Sequence, residues 1–103
     1  MRVPVALTIE IREGQNFSLH ATRDVSEGGL FFDRAIPHPE GARVDLCFTL
    51  PGESAAMNCQ GEVVNVPDAQ SFGMGIRFIG LTDADASRLR SFLNDALTTL
   101  GVP

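Results

Sequence analysis

Val44-Asp45-Leu46-Cys47-Phe48-Thr49-Leu50, residues 44–50, alternates side chains without a break and stops at Pro51-Gly52. A period of two puts Val44, Leu46, Phe48 and Leu50 on one face of a half-buried strand. Pro-Gly is a turn signal. Working outward, residues 3–11 behave the same way: Val3, Val5, Leu7, Ile9 and Ile11 share a face, with Pro4, Ala6, Thr8 and Glu10 on the other. Pro4 has no backbone donor and belongs at a strand start or edge. Glu13-Gly14-Gln15-Asn16 reads as a turn, and a second strand runs from Phe17 to about Arg23 with Phe17, Leu19 and Ala21 inward. Leu30-Phe31-Phe32 is a short strand, residues 36–41 a loop, and Met57–Val66 and Phe72–Ile79 two further strands. About six strands joined by short turns predict an antiparallel sandwich or barrel. Gly73 and Gly75 let the last strand bend or let another group approach it closely.

The period then changes. Leu89, Phe92, Leu93, Ala96, Leu97 and Leu100 recur at three and four residues, the stripe of an amphipathic helix. Thr82 is placed to cap it, Asp83 and Asp85 favour its positive end, and Gly101 is a stop. Such a helix is expected to cover an open end or edge of the strands. With 103 residues and no repeat or linker, the whole of 1–103 reads as one domain. No apolar run has membrane-spanning length and no basic segment leads an apolar one, so the expectation is a soluble cytoplasmic protein.

The net charge is −5, so DNA and RNA are not expected partners: no excess of positive charge draws in a phosphate backbone. All the basic residues are arginine. A GC-rich coding sequence suffices to explain this, but arginine also suits planar, bidentate recognition of phosphate and guanine edges. Anionic ligands are therefore expected only at a local arginine cluster.

Cys47 and Cys59 fall on consecutive strands. If Phe48 lies opposite Cys59, then Leu46 faces Gly61, Val44 faces Val63, and the two thiols point to opposite faces. Two free thiols follow, as in a reducing compartment. No CxxC is present and His20 and His38 lack ligand spacing, so no metal site is expected. His20, on the polar face of its strand, reads as a solvated side chain. Ser26 is not in GxSxG, and Gly73-Met74-Gly75 neither gains a third glycine nor opens a helix. No enzymatic activity is expected.

One stretch stands apart: Arg23-Asp24-Val25-Ser26-Glu27-Gly28-Gly29. Mechanically, Asp24 and Ser26 can close a tight turn and the glycines can take unusual backbone angles. Chemically, the same residues form a small polar shelf. A carboxylate accepts from guanine N1 and N2 hydrogens, and a hydroxyl and glycine amides can meet a phosphate. An adjoining arginine can reach guanine O6 and N7.

Asp24-x-Ser26-x-x-Gly29, followed by Leu30-Phe31-Phe32, resembles the [D/N]xSxxG motif of the PilZ family. Gly73-Met74-Gly75-Ile76-Arg77-Phe78 before an apolar helix is similar to that family's closing strand and helix. The resemblance spans roughly residues 2–97. It implies a mainly β fold, a six-stranded antiparallel Greek-key barrel with a C-terminal helix. It also implies binding of cyclic di-GMP on the barrel's outer surface, coupled through an effector protein to motility, exopolysaccharide or virulence outputs. The implied site residues are Asp24, Ser26 and Gly29. The family pattern has a second half, an RxxxR arginine clamp before the first strand. Arg2 is similar in placement to its second arginine, and the first would fall ahead of Met1. Losing one such charge-assisted contact costs about 1.5–3 kcal/mol. Arg23 is a candidate substitute, its ordinary reading being a strand-end arginine.

Two functions follow from the resemblance. One is a cyclic di-GMP receptor or adaptor with a weakened clamp. The other is a nucleotide-independent module that binds a protein through a barrel face or the helix. The missing first arginine favours the second. The intact Asp24, Ser26 and Gly29 favour the first, on the expectation that the fold alone does not need these residue types.

Overall fold

The computed structural model describes residues 2–33, 39–64 and 73–99. Among the described residues seven strands, β1 (Thr8–Glu13), β2 (Asn16–Ala21), β3 (Asp24–Val25), β4 (Gly29–Phe32), β5 (Arg43–Phe48), β6 (Met57–Val64) and β7 (Met74–Ile79), precede one helix, α1 (Asp83–Thr99). They form one antiparallel sheet in the order β2-β1-β5-β6-β7-β4-β3. β5, β6 and β7 run as a meander and β4 lies beside β7, the Greek-key arrangement. Val3 closes the barrel. It bridges Val25 through a reciprocal pair of backbone hydrogen bonds, 2.8 and 2.9 Å, joining the chain ahead of β1 to the free side of β3.

The alternation of residues 3–11 is preserved although the ladder starts only at Thr8: Val3, Leu7, Ile9 and Ile11 are all buried. Residues 4–7 cross the seam instead of pairing as a strand. Their backbone is held by buried Thr22, whose Oγ1 accepts from the Leu7 amide and donates to the Val5 carbonyl, each at 2.8 Å. The strand count exceeds the expected six because the Asp24-Val25 pair is itself a short strand against Phe31 and Leu30.

β2 corrects the sequence reading. Phe17 and Leu19 are about three-fifths exposed and Ala21 is exposed, while Ser18 and His20 turn partly inward. The cause is the pairing across the expected turn. Gly14 has φ of 62° and Gly14-Gln15 makes a two-residue loop of II′ type, which sets Arg12 opposite Phe17 and Glu10 opposite Leu19. Paired residues share a face, so Phe17 and Leu19 turn outward with Arg12 and Glu10, while Ser18 and His20 lie opposite the buried Ile11 and Ile9. His20 is therefore not a freely solvated side chain. It meets the Phe32 ring edge-on at 6.0 Å and shares a 2.9 Å hydrogen bond with Ser18 Oγ.

The β5–β6 register is displaced by two from the expected one. Phe48 lies opposite Met57 and Leu46 opposite Cys59, because Thr49 and Leu50 leave the ladder to join the connection. A shift of two preserves faces. Cys59 stays inside against the core, Cys47 stays outside opposite Asn58, and both are free thiols. Burial, and secondarily the Asp85 carboxylate, push the Cys59 thiol from 9.0 up to about 11. The fold thus prefers the protonated thiol, and this preference is lost as pH rises from 9 through 11. At pH 8 only on the order of one Cys59 in a thousand is thiolate. Thiol labelling at pH 8 is expected to consume Cys47 rapidly and Cys59 slowly, with the slow phase accelerating roughly tenfold per pH unit up to pH 10. Two equally fast phases would contradict the inward placement of Cys59.

α1 begins as expected, with Thr82 Oγ1 accepting from the Asp85 amide at 3.1 Å. Leu89 and Leu93 are buried in the barrel core, and Phe92, Ala96 and Leu97 pack around them. Arg88 ties the helix start to the β5–β6 connection, donating to Glu53 Oε1 at 2.8 Å and to the Ala55 carbonyl at 2.7 Å. No described helix is long and apolar enough to cross a membrane. The expectations placed on His38, Val66, Phe72, Leu100 and Gly101 lie outside the described residues.

Candidate functional site

β3 and β4 form a hairpin whose turn is the Ser26–Gly29 segment. The Ser26 amide donates to the Gly29 carbonyl at 2.9 Å, and Ser26 Oγ accepts from the Gly28 amide at 3.2 Å. The serine hydroxyl therefore holds the turn and still reaches the surface, half-buried. Val25 points into the core and Asp24, its neighbour, points out.

Asp24 is nearly covered, at 8 % exposure, and what covers it is arginine. Arg2 Nη1 lies 3.8 Å from Oδ1 and Arg23 Nε 3.6 Å from Oδ2. These distances are ion pairs, too long for hydrogen bonds. Both arginines are more than half exposed, so each pair is worth about 0–1 kcal/mol and is easily exchanged. Both guanidiniums also sit over the Phe31 ring, at 5.5 and 5.0 Å from its centroid. Phe31 lies opposite Asp24 and Gly75, on the outer face, while Leu30 and Phe32 fill the core. It is buried nonetheless. A side chain at Gly73 would meet the ring at 2.6 Å, which is one reason that position is glycine.

Arg2, Asp24, Ser26 and Gly29 line one shallow cavity of about 150 Å³, together with Gly28, Phe31, Gly75 and Arg77. Arg23 stands beside it, sharing Asp24 and Phe31 with Arg2. A hollow of that size admits a base edge or a phosphate group, so a larger ligand lies across the barrel wall. A larger hollow, about 570 Å³, lies over β1, β5 and β6 and is lined by Glu10, Arg12, Asp45 and Cys47. Its one lining arginine already pairs with Glu10 at 3.2 Å. Size alone favours it, but convergent cations favour the smaller site. Among the described residues no group of His, Cys, Asp and Glu could hold a metal ion.

Gly29 corrects the idea that the fold does not need these residue types. A Cβ there would lie 2.1 Å from the Ile76 carbonyl oxygen and 3.1 Å from its carbon. The close approach of β4 to β7 excludes any side chain, so this glycine is fixed by packing whatever the site binds.

The sequence reading missed Arg77 and Phe31. Alternation along Gly73, Gly75 and Arg77 already placed them on one face. What it lacked was the β4–β7 register, which sets Phe31 opposite Gly75 and Gly29 opposite Arg77.

The sequence model of the PilZ domain family matches residues 1–95, and the chain belongs to that family. No curated protein matches it. Solved structures similar in fold include the following. The Bacillus subtilis inhibitor of motility, MotI/DgrA, is 18% identical with a TM-score of 0.78, over 95% of this chain and 49% of that one. This chain thus spans about half the length of that protein. The PilZ domain of YcgR from Escherichia coli, solved with c-di-GMP, is 13% identical with a TM-score of 0.74, over 97% of this chain and 91% of that one. The PilZ domain of CeSA from a cellulose-synthesizing bacterium is 14% identical with a TM-score of 0.68, over 92% of this chain and 96% of that one.

Proposed function

We propose that this chain is a cyclic di-GMP receptor module that acts as an adaptor, not as an enzyme. The observation that carries the reading is the convergence of Arg2, Asp24 and Ser26 on one outer cavity, with Arg23 at its rim. Asp24 accepts from a guanine N1 and N2 edge, and Arg2 and Arg23 clamp the base or phosphate above Phe31. Ser26, fixed by its own turn, offers its hydroxyl to the ligand. Gly29 lets β4 lie close to β7 and keeps the floor clear. The module works in the cytoplasm and passes the signal to an effector protein. Control of motility or surface behaviour is the output in keeping with the similarity to a motility inhibitor. The hairpin is tied to α1 through Glu27, which accepts from Arg90 Nε at 3.0 Å, so α1 belongs to the surface that binding changes.

A second reading, a nucleotide-independent protein-interaction module, is favoured by one observation. Phe17 and Leu19 are large apolar side chains exposed on the outer face of β2.

Amide chemical-shift mapping separates the two. Titration with cyclic di-GMP is expected to move the resonances of residues 23–31 and 75–77 and to leave β2 unchanged. Shifts confined to β2, or none, would favour the second reading.

A further inference from the structure

We infer that Arg77 is a third arginine of this site, held by Glu62 in the free protein and transferred to a phosphodiester oxygen of the bound ligand. This inference rests on the receptor reading and adds to it a cation on the phosphate side.

The sheet register carries the argument. Arg43 lies opposite Glu62, Glu62 opposite Arg77, and Arg77 opposite Gly29. Paired residues share a face, so the four form one row across the outer wall. Its last position has no side chain and, with Ile76 in the way, admits none. Arg77 therefore has Glu62 on one side and open cavity on the other, the same cavity that Arg2, Asp24 and Ser26 line.

The energetics allow the exchange. Arg77 is 58% exposed and donates through Nη2 to Glu62 Oε1. An exposed pair of this kind contributes little, and a phosphate offers guanidinium two parallel hydrogen bonds in its place. Glu62 is not abandoned when Arg77 leaves, because Arg43 stands opposite on its other side. The hydrogen bond from Arg77 and the charges of Arg77 and Arg43 keep the Glu62 carboxyl below its usual range, against desolvation. It remains ionised throughout the neutral range. The division of labour follows from position. Asp24, with Arg2 and Arg23 over Phe31, is on the guanine side, while Arg77 beside the glycine is on the phosphate side.

The test is a calorimetric comparison of cyclic di-GMP binding by the wild-type chain and matched variants, each checked for folding by thermal melting. Arg77→Met is expected to weaken affinity about tenfold. Arg12→Met removes an equal charge from the opposite wall and is expected to change affinity less than about twofold. Arg77→Lys keeps the charge without the planar fork and is expected to fall between wild type and Arg77→Met. Glu62→Gln frees Arg77 and is expected to strengthen binding about threefold, more than Glu10→Gln does, with the gain abolished in the Arg77→Met background. Equal effects of Arg77→Met and Arg12→Met, or a Glu62→Gln gain that survives without Arg77, would overturn the inference while leaving the receptor reading intact. Failure of the folded wild-type chain to bind would overturn both.

Discussion

Gly29→Ala is expected to destabilise the barrel by about 3 kcal/mol, the upper part of the range for overpacking a rigid site. For a domain of this size that is a fall in melting temperature of roughly 15 °C. The added methyl would stand 2.1 Å from the Ile76 carbonyl oxygen and 3.2 Å from Arg77 Cα, and both are backbone atoms. No rotamer change relieves the contact. β4 must lift away from β7, stretching the ladder from Gly29–Arg77 to Phe32–Met74 that holds the motif hairpin on the barrel. Gly28→Ala is the control. It meets nothing nearer than Ser26 Oγ at 3.9 Å, so its stability should stay within about 0.5 kcal/mol of wild type. Equal melting temperatures for the two variants would show that β4 and β7 are not packed as described. The contrast matters because a motif glycine is easily credited to the ligand. Here packing alone fixes the glycine.

Asp24→Ala is expected to lower affinity for cyclic di-GMP on the order of 100-fold, the loss of about 1.5–3 kcal/mol in charge-assisted hydrogen bonds. Stability should change by less than about 1 kcal/mol. Two observations separate these effects. The carboxylate is held by ion pairs of 3.6 and 3.8 Å to arginines that are more than half exposed, so removing it returns them to water. Those arginines also keep Phe31 covered without it, through the stacking at 5.0 and 5.5 Å. Asp24→Asn retains the shape and one carbonyl acceptor for the guanine edge but loses the charge, and should lose less affinity than Asp24→Ala. Circular dichroism and the melting curve check folding, and calorimetry reads binding. A variant that binds as well as wild type would remove Asp24 from the site. A variant that unfolds would show the hairpin's structural need for the carboxylate to be dominant.

How far these features were legible in the sequence depends on what each one rests on. Alternation is local, so Val44, Leu46 and Phe48 on β5, and Val3, Leu7, Ile9 and Ile11 ahead of and along β1, are buried as read. The helix cap is local too, and Thr82 accepts from Asp85 as expected. Register is not local. It placed Phe17 and Leu19 outside, opposite Arg12 and Glu10, against the apolar character of the two side chains, and it slid β5 against β6 by two. The motif residues were legible because they adjoin one another in the chain. Arg77 was not, since it joins them only through the pairing of β4 with β7. Phe31 was read as one apolar residue of a strand. That it lies on the outer wall under two guanidiniums follows from the β3–β4–β7 register and from the glycines beneath it.

The central claim is that this wall of the barrel binds cyclic di-GMP with Arg2, Asp24 and Arg77 as its charged contacts. The most direct measurement is a calorimetric titration of the folded chain with cyclic di-GMP at low and moderate salt. The account predicts saturable heat with micromolar or tighter affinity, weakening as salt screens the arginines. No heat at millimolar ligand, from a sample whose melting curve shows it folded, would contradict it.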